Sequence, residues 1–404
     1  MNKNEKLMIA AFSAVPFIMV LGNSMLIPEF PRIKSALNIT QFEVGLLITV
    51  FSFSAGVTIP FLGYLSDQFG RIKIIVPSLI LYGLGGIVSG TAALLMDKPF
   101  NIILIGRVLQ GIGAAGTYPI VMALIGDIFQ SEKRSEILGI IEAANGIGKV
   151  SSPVLGAAIG IISWIALFFF YAFLAVPVAI AVWYFGKESD TTEKQGIKQY
   201  LKNIKNIFQN KGFSLLTTIL GGMLVLFVLF GLLSYFSDIL ESKYNIEGLT
   251  SGLIIAIPIL FMSSTSYFSG LYLKKKKKHF KLAISVSLIL ISLSLIILNF
   301  INPLYLYVIF FSLLGTGTGL MLPAVNTLVT SSTGKNQRGV ITSIYGSARF
   351  LGVAIGPPVF SAFQNINTTV MYFSASGISI IVLILCLLFI KEKGMTPPND
   401  NGNN

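Results

Sequence analysis

Apolar runs long enough to cross a lipid bilayer recur along the whole of this 404-residue chain. A helix that spans the hydrocarbon core needs about 20 predominantly apolar residues. Charged residues make up only 11% of the chain, about half the fraction that soluble domains carry. We therefore predict an all-α polytopic membrane protein with twelve transmembrane helices. The twelve runs lie at about 7–27, 43–66, 74–95, 100–128, 137–160, 162–185, 213–237, 250–272, 280–300, 303–330, 340–362 and 370–390.

The basic residues gather on alternate connections between these runs. About 22 of the 29 Lys and Arg residues fall on the side that holds the N-terminus, and the positive-inside rule assigns such a side to the cytoplasm. We therefore expect both termini to be cytoplasmic in a cell-membrane protein. The net charge of +12 then reflects topology, and nucleic-acid binding is not expected. The run Lys274–Lys278 is predicted to face the anionic lipid headgroups.

The chain is predicted to divide into two six-helix bundles, 1–185 and 213–393. A lysine-rich cytoplasmic linker, 186–212, joins them, and a disordered cytoplasmic tail, 394–404, follows. The two bundles repeat each other at an offset of 204 residues, which needs no gap across about fifty residues, and this predicts two parallel, pseudo-symmetric halves. The offset brings Gly111, Gly113, Pro119, Arg134, Gly148 and Pro153 onto Gly315, Gly317, Pro323, Arg338, Gly352 and Pro357.

Four segments carry a resemblance to a known family. Gly63–Lys73 (GYLSDQFGRIK) is similar to the signature loop between the second and third helices of the major facilitator superfamily, which the chain resembles over its whole length. Leu21–Pro31 (LGNSMLIPEFP), Arg107–Gly113 (RVLQGIG) and Gly148–Gly160 (GKVSSPVLGAAIG) resemble first-, fourth- and fifth-helix patterns of its twelve-helix drug:proton antiporters. The fifth-helix segment departs from the family pattern, because Ser152-Pro153 replaces the usual Gly-Pro pair and Lys149 adds a charge.

The resemblance implies a proton-coupled secondary transporter that works by alternating access, most often as an exporter of drugs or metabolites. It implies that Arg107 is tied to proton transfer. It also implies a conformational latch between the halves, formed by Gly63, Asp67, Gly70 and Arg71. Small residues allow close helix packing and proline bends a helix, so a helix hinge is expected where both occur. The hinge residues are Gly148, Pro153, Gly156, Gly356 and Pro357.

Four ionisable residues lie clearly within the apolar runs, namely Arg107, Glu142, Lys149 and Arg349. Such charges usually face a watered cavity and carry function. Glu142 and Lys149 are close to two helical turns apart, so both point to one side, with Asn145 on or near that face. As the one carboxylate of the four, Glu142 is expected to couple the proton, with Arg107 modulating it. A structural ion pair of Glu142 with Arg107 or Lys149 is the alternative.

The predicted substrate cavity is lined by Glu142, Asn145, Lys149, Arg349 and Tyr118. Arg349 falls at the repeat equivalent of Asn145, so the two are expected to face each other, although a structural role for Arg349 is also open. Three cations against one carboxylate favour a neutral, zwitterionic or anionic cargo over a lipophilic cation. The alternative function is an importer or exporter of a specific anionic metabolite, such as a siderophore, sugar or organic acid.

The sequence favours a transporter over an enzyme. It has no Walker A loop, one cysteine (Cys386) and one histidine (His279), so we expect neither ATP-driven transport nor a metal site. We expect no cofactor beyond the proton gradient. The expected partners are a small-molecule substrate, protons and membrane lipids, and the protein is expected to be a monomer.

Overall fold

The computed structural model describes residues 3–129, 131–188, 197–275, 279–333 and 338–395. Within these ranges the regular elements are fifteen α-helices and one 3₁₀ turn. The helices are α1 (Lys3–Ser24), α2 (Phe30–Leu37), α3 (Gln41–Phe69), α4 (Ile72–Leu95), α5 (Phe100–Ala115), α6 (Tyr118–Ile128), α7 (Ser131–Gly160), α8 (Ala166–Phe185), α9 (Ile197–Ser242), α10 (Gly248–Lys275), α11 (Phe280–Leu298), α12 (Leu304–Ser331), α13 (Arg338–Ile366), α14 (Thr368–Phe389) and α15 (Glu392–Met395). The 3₁₀ turn, Ile27–Glu29, connects α1 to α2.

Eleven spans in the described chain are long and apolar enough to cross a membrane. Two of them are broken helices, because α1 continues through the 3₁₀ turn into α2, and α5 continues past Gly116 into α6. The helix α7 has 30 residues and is long enough as well. Its charges, Glu142 and Lys149 among them, make it more polar than the other spans. With α7 as the remaining span, the predicted twelve-helix membrane fold is confirmed.

The chain forms two compact units that differ in extent from the two sequence halves. The first unit comprises the described residues of Met1–Gln195 together with Phe230–Ile257 and Val353–Ala362. The second comprises the described residues of Gly196–Leu229, Pro258–Gly352 and Phe363–Asn404. Parts of α9, α10 and α13 from the second half thus pack within the first unit, and the predicted division into 1–185 and 213–393 stays a prediction.

The core of the first unit lies between α1, α4, α6, α7 and α8. Side chains from each of these helices meet there, and the central ones have no accessible surface. In a bilayer, such side chains stabilise helix packing mainly by fitting closely together, because lipid tails offer equally apolar contacts. The central residues are Phe12, Val15, Ile75, Val121, Leu124, Ile137, Ile141 and Val182.

Equivalent glycines of the two repeats occupy equivalent packing positions. A Cβ on Gly148 would meet the backbone of Phe17 in α1, and a Cβ on Gly352 would meet the backbone of Met223 in α9. The same holds one helix earlier, where Gly113 lies against the backbone of α4 and Gly317 against the backbone of α11. Because each pair joins corresponding helices, the 204-residue repeat in sequence is also a repeat in packing.

Part of the predicted linker is helical. The helix α9 begins at Ile197 and continues without a break into the seventh span, so it includes the second part of the 186–212 segment. Residues 189–196 lie outside the described residues. So do residues 276–278 of the Lys274–Lys278 run and the tail beyond Met395, so the predictions for them stay predictions.

Candidate functional site

Helix α7 presents Glu142 and Asn145 to different surroundings. Asn145 is buried at 2% exposure together with Ile141 and Gly148, on the side that packs against α1. Glu142 is exposed, and Lys149, two turns further on, is half-buried. The helical spacing therefore places Glu142 at the boundary of the packed face rather than within it.

The carboxylate of Glu142 contacts the phenol of Tyr118, which donates a hydrogen bond to Oε2. Tyr118 is the first residue of α6 and follows the break at Gly116 and Thr117. The break lets the fourth span change direction, which directs this side chain toward α7. Two of the five predicted cavity residues thus lie in contact.

Arg107 lies in a separate buried pocket with no exposed surface. Its Nε donates to the Leu47 carbonyl oxygen at 2.8 Å, its Nη2 to the Gly22 carbonyl oxygen at 2.6 Å, and its Nη1 to Gln110 Oε1 at 2.9 Å. The guanidinium carbon also lies 4.4 Å from the centre of the Phe51 ring. The cation is therefore stabilised by carbonyl dipoles and an aromatic face, and it ties α1, α3 and α5 together.

Arg349 belongs to the second unit. Its guanidinium carbon lies 5.7 Å from the ring centre of Tyr345, one turn earlier on α13. Arg349 itself is half-buried, and Tyr345 is buried at 2% exposure. This arrangement is a cation–π contact, which fixes the arginine against its own helix and leaves part of it accessible. The expectation that Arg349 faces Asn145 stays a prediction.

The predicted latch residues form a charge cluster at the junction of α3 and α4. Arg71 pairs with Asp67 through Nη1 at 2.5 Å, with Asp127 through Nε at 3.2 Å, and donates to Ser66 Oγ at 2.8 Å. Ser66 in turn donates to the Gly63 carbonyl oxygen at 2.7 Å. These partners, including Asp127 at the end of α6, lie in the first sequence half, and the latch between the halves stays a prediction.

Glu188 also belongs to this cluster, although it was not predicted from the sequence. Its carboxylate accepts hydrogen bonds from the backbone N–H of Arg71 at 2.7 Å and of Ile72 at 3.0 Å. These N–H groups are unpaired donors at the start of α4, and a helix N-terminus attracts negative charge. Gly70 next to it has φ +109°, a conformation that side chains rarely adopt. The only sequence signal is that Glu188 closely follows the end of an apolar run.

The hinge residues lie at close helix crossings within the first unit. Gly156 of α7 lies against the Met25 carbonyl oxygen, where a Cβ would overlap it. Pro153 lies beside Gly252 of α10, and Pro357 lies beside Gly45 of α3. Each half therefore presents a proline of its fifth helix to a glycine from the other half. Gly356, which precedes Pro357, is buried on α13.

Glu29 is not among the predicted site residues, and the structure buries it completely. Its Oε2 lies 3.4 Å from Arg32 Nη1, and that same nitrogen donates to the Gly160 carbonyl oxygen at 2.9 Å. Nearby, the ammonium of Lys34 on α2 pairs with the carboxylate of Asp238 on α9. The sequence signal for burial was the flanking pair Pro28 and Pro31, which folds the chain into a 3₁₀ turn instead of a continuous helix.

Comparison with known proteins adds the family. The family model described as Major Facilitator Superfamily matches residues 12–357. A curated relative, the "Bacillibactin exporter" of Bacillus subtilis (strain 168), is 42% identical over 388 residues, which cover 95% of this chain and 96% of that protein. The "Quinolone resistance protein NorA" of Staphylococcus aureus (strain COL) is 24% identical over 390 residues, which cover 95% of this chain and 96% of that protein.

Solved structures show the same architecture at low sequence identity. A bacterial homologue of the human lysosomal transporter Spinster, in an inward-facing and occupied conformation, superposes with a TM-score of 0.79 at 15% identity, over 98% of this chain and all of that one. A D-xylose–proton symporter superposes with a TM-score of 0.79 at 14% identity, over the same shares. At these identities the likeness concerns the fold.

Proposed function

This chain belongs to the major facilitator superfamily of secondary transporters, and we propose that it exports an anionic metabolite of the siderophore type. The observation that carries this proposal is the 42% identity with the bacillibactin exporter over nearly the full length of both chains. Relatives named for multidrug resistance match at 24–25%. We therefore take bacillibactin as the first cargo to test and a broad set of drugs as the second candidate.

The charges that remain accessible support an anionic cargo. Arg107 is fully engaged by buried acceptors, so it is a structural cation and leaves the cargo to other residues. Lys149 and Arg349, each half-buried on the fifth helix of its half, are the other two cations among the four charges that the sequence places within the spans, and Glu142 is the one carboxylate. An excess of cations within the membrane-spanning helices favours an anionic cargo over a lipophilic cation.

We further propose that proton exchange occurs at Glu142. Glu142 is exposed, and the Tyr118 hydroxyl donates a hydrogen bond to its carboxylate. The ionised carboxylate can accept hydrogen bonds from donor groups of the cargo, whereas a proton bound to it takes the place of such a donor. Proton binding and cargo binding therefore compete at one carboxyl group, so that cargo binding releases the proton.

The proposed cycle is rocking of 1–185 against 213–393, with both termini in the cytoplasm. The Asp67–Arg71 cluster lies at the cytoplasmic end in this topology and acts as the latch, together with Asp127 and Glu188. The close crossings at Gly156 and at Pro357 act as the hinge. Glycine at a crossing lets helices slide with little steric resistance, which alternating access requires.

Uptake into inside-out membrane vesicles tests the cargo. Vesicles that contain the protein should accumulate bacillibactin when their interior is acidified, and dissipating the pH gradient should abolish the uptake. A lipophilic cation such as ethidium, measured in the same vesicles, should accumulate little. Good ethidium uptake without bacillibactin uptake would replace the proposal with the multidrug alternative, and uptake of neither would refute both.

Proton release on addition of bacillibactin to the purified protein in detergent tests the role of Glu142. Glu142→Gln should retain cargo binding and lose the release. Glu136→Gln is a matched control, because Glu136 is an exposed carboxylate on the same helix. Equal release from the Glu142→Gln variant and the wild type would show that the coupling residue lies elsewhere.

A further inference from the structure

Glu29 is a carboxylate that the proposed cycle leaves unused. It ends the 3₁₀ turn Ile27–Glu29, precedes α2, and has no accessible surface. A fully buried Asp or Glu is rare unless it is paired, because removing an ionised carboxylate from water is costly. The burial of Glu29 therefore costs the fold stability, which indicates that this residue has a role beyond packing.

The surroundings of Glu29 satisfy only part of an ionised carboxylate. Oε2 has Arg32 Nη1 at 3.4 Å, but that nitrogen makes its shorter bond, 2.9 Å, to the Gly160 carbonyl oxygen. Oε1 is buried and has no hydrogen-bond partner among the described residues. The carboxyl group packs against Gly160 of α7, where a Cβ would overlap it. A protonated carboxyl fits this site better than an ionised one, since it needs fewer partners.

Segments from the second sequence half close over this site, all of them within the first unit. Ser237 of α9 donates to the Ile27 carbonyl oxygen at 2.6 Å, and Asp238 pairs with Lys34. Gly248, at the start of α10, lies close to the guanidinium of Arg32. Glu247 adds a like charge that acts on Glu29. Withdrawal of α9 and α10 would open the site to water at this end.

We propose that Glu29 is a second proton-binding residue, which takes up its proton from outside the cell and thereby favours closure of α9 and α10 over the 3₁₀ turn. This proposal rests on the proposed function for its sidedness and its use of protons. When the end is open, water and Arg32 stabilise the ionised form. When α9 and α10 close, the buried Oε1 loses water and gains nothing in return, so proton uptake and closure favour each other.

The rate at which a cysteine at the closing surface reacts with a membrane-impermeant maleimide tests this linkage without any cargo. Ser234 of α9 is buried at 3% exposure, and its backbone and side chain accept from Gln41. Ser234→Cys in a Cys386→Ser background therefore reports opening. Ser242→Cys, exposed at the same end of α9, is the reference that cancels the intrinsic pH dependence of thiol reactivity.

With Glu29 present, the ratio of Ser234→Cys to Ser242→Cys labelling should fall about tenfold as the medium is acidified and the carboxyl group protonates. In the Glu29→Gln background the ratio should be low and independent of pH, because a neutral side chain imitates the protonated form. A Glu29→Gln profile that matches that of the native carboxylate would overturn the proposal.

Arg32→Gln provides a second test that does not alter the buried residue. Arg32 is 39% exposed, so its replacement should be tolerated. Loss of the cation should move the midpoint of the labelling profile to higher pH by about one unit. Glu247→Gln is the matched control, which removes a like charge and should move the midpoint slightly to lower pH. An unchanged midpoint in Arg32→Gln would contradict the assignment.

The two proposals fail separately. The labelling ratio requires no export, so it can follow Glu29 even if bacillibactin is the wrong cargo. Conversely, export with proton release at Glu142 and a labelling profile unaffected by Glu29→Gln would refute only the inference about Glu29.

Discussion

The fourth helix of each half holds the same place in the fold with opposite chemistry. Arg107 and Gln110 of α5 are fully buried, and so are Phe311 and Leu314 at the equivalent positions of α12. Around them the glycines of both helices meet corresponding neighbours. One half thus stabilises its centre with hydrogen bonds to a cation, and the other with apolar side chains of similar size.

This difference between a buried cation and apolar side chains indicates that the two repeats have different roles. A buried guanidinium needs acceptors, and here it uses backbone carbonyls of two other helices, which fixes their relative positions. Aromatic and aliphatic side chains fill volume and impose no such geometry. The proposed coupling residues, Glu142 and Glu29, also lie in the first half. We infer that the first half carries the proton chemistry and that the second half is mainly a packed counterpart.

The largest effect is expected from giving the first half the chemistry of the second. Arg107→Phe removes the donor from two carbonyls and from Gln110, which should lower stability by about 2–4 kcal/mol and abolish transport. Arg107→Lys should also fail, because a single ammonium cannot reach three acceptors on separate helices. Thermal unfolding in detergent and vesicle uptake measure the two effects.

Phe311→Leu is the matched control for that exchange. It keeps an apolar side chain at the equivalent position and should cost about 1 kcal/mol while transport continues. Similar losses for Phe311→Leu and Arg107→Phe would show that volume, rather than the cation, decides both sites.

The next largest losses of stability are expected at the glycines where helices cross. Here the second half should be more sensitive than the first. In Gly352→Ala the new Cβ meets the backbone carbonyl of Met223, whereas in Gly148→Ala its closest neighbour is the Val20 side chain, which can move. We expect a loss of about 2–3 kcal/mol for Gly352→Ala and about 1 kcal/mol for Gly148→Ala. Melting temperatures of both variants, measured in one detergent, check the order. The reverse order would mean that α9 yields more easily than α1.

The ion pair between Lys34 on α2 and Asp238 on α9 joins the two sequence halves within the first unit. Its attraction depends on the two side chains carrying opposite charges. The reversed pair, Lys34→Asp with Asp238→Lys, should therefore restore most of the stability that either single change loses. We expect about 1–2 kcal/mol for each single change because two like charges then meet.

A double-mutant cycle on purified protein measures that coupling. Salt should weaken it, since both groups are partly exposed, at 28% and 14%. If the reversed pair is no better than the single changes, the two environments differ too much for the charges to be exchanged.

The sequence predicted most of the fold because membrane spans and repeats are long-range patterns. Twelve apolar runs required helices, and the shared glycines, prolines and arginine located the equivalent helix crossings. The boundary of the linker was less predictable, because α9 begins at Ile197, well inside a segment whose composition is polar. A polar segment can still be helical, because Lys, Gln and Leu are good helix formers.

The site was predictable only where a side chain is unusual for its place in the sequence. Glu142, Arg107 and Lys149 stood out as charges in apolar runs. The partners of Arg107 did not, because backbone carbonyls have no sequence signature. The burial of Glu29 was not predictable, since it depends on a 3₁₀ turn and on segments more than 200 residues away.

The smallest effect is expected at two helix starts, one in each half. Thr40 and Glu43 form a capping box at α3, in which the Thr40 side chain accepts from the Glu43 N–H at 3.2 Å and the Glu43 carboxylate accepts from the Thr40 N–H at 2.7 Å. At α14 the Asn367 side chain alone accepts from the Thr369 N–H at 2.8 Å. A reciprocal cap satisfies two donors instead of one.

Thr40→Ala should therefore lower stability by about 1 kcal/mol and Asn367→Ala by about half as much, with transport unchanged in both. Differential scanning fluorimetry in detergent resolves the order, and Thr40→Ser, which keeps the acceptor, is the control. A larger loss for Asn367→Ala would show that the single hydrogen bond at the start of α14 stabilises the protein more than the capping box of α3 does. Loss of transport in Thr40→Ala at normal stability would instead connect this cap to the nearby closing contact of Gln41 with Ser234, and thus to opening of the transporter.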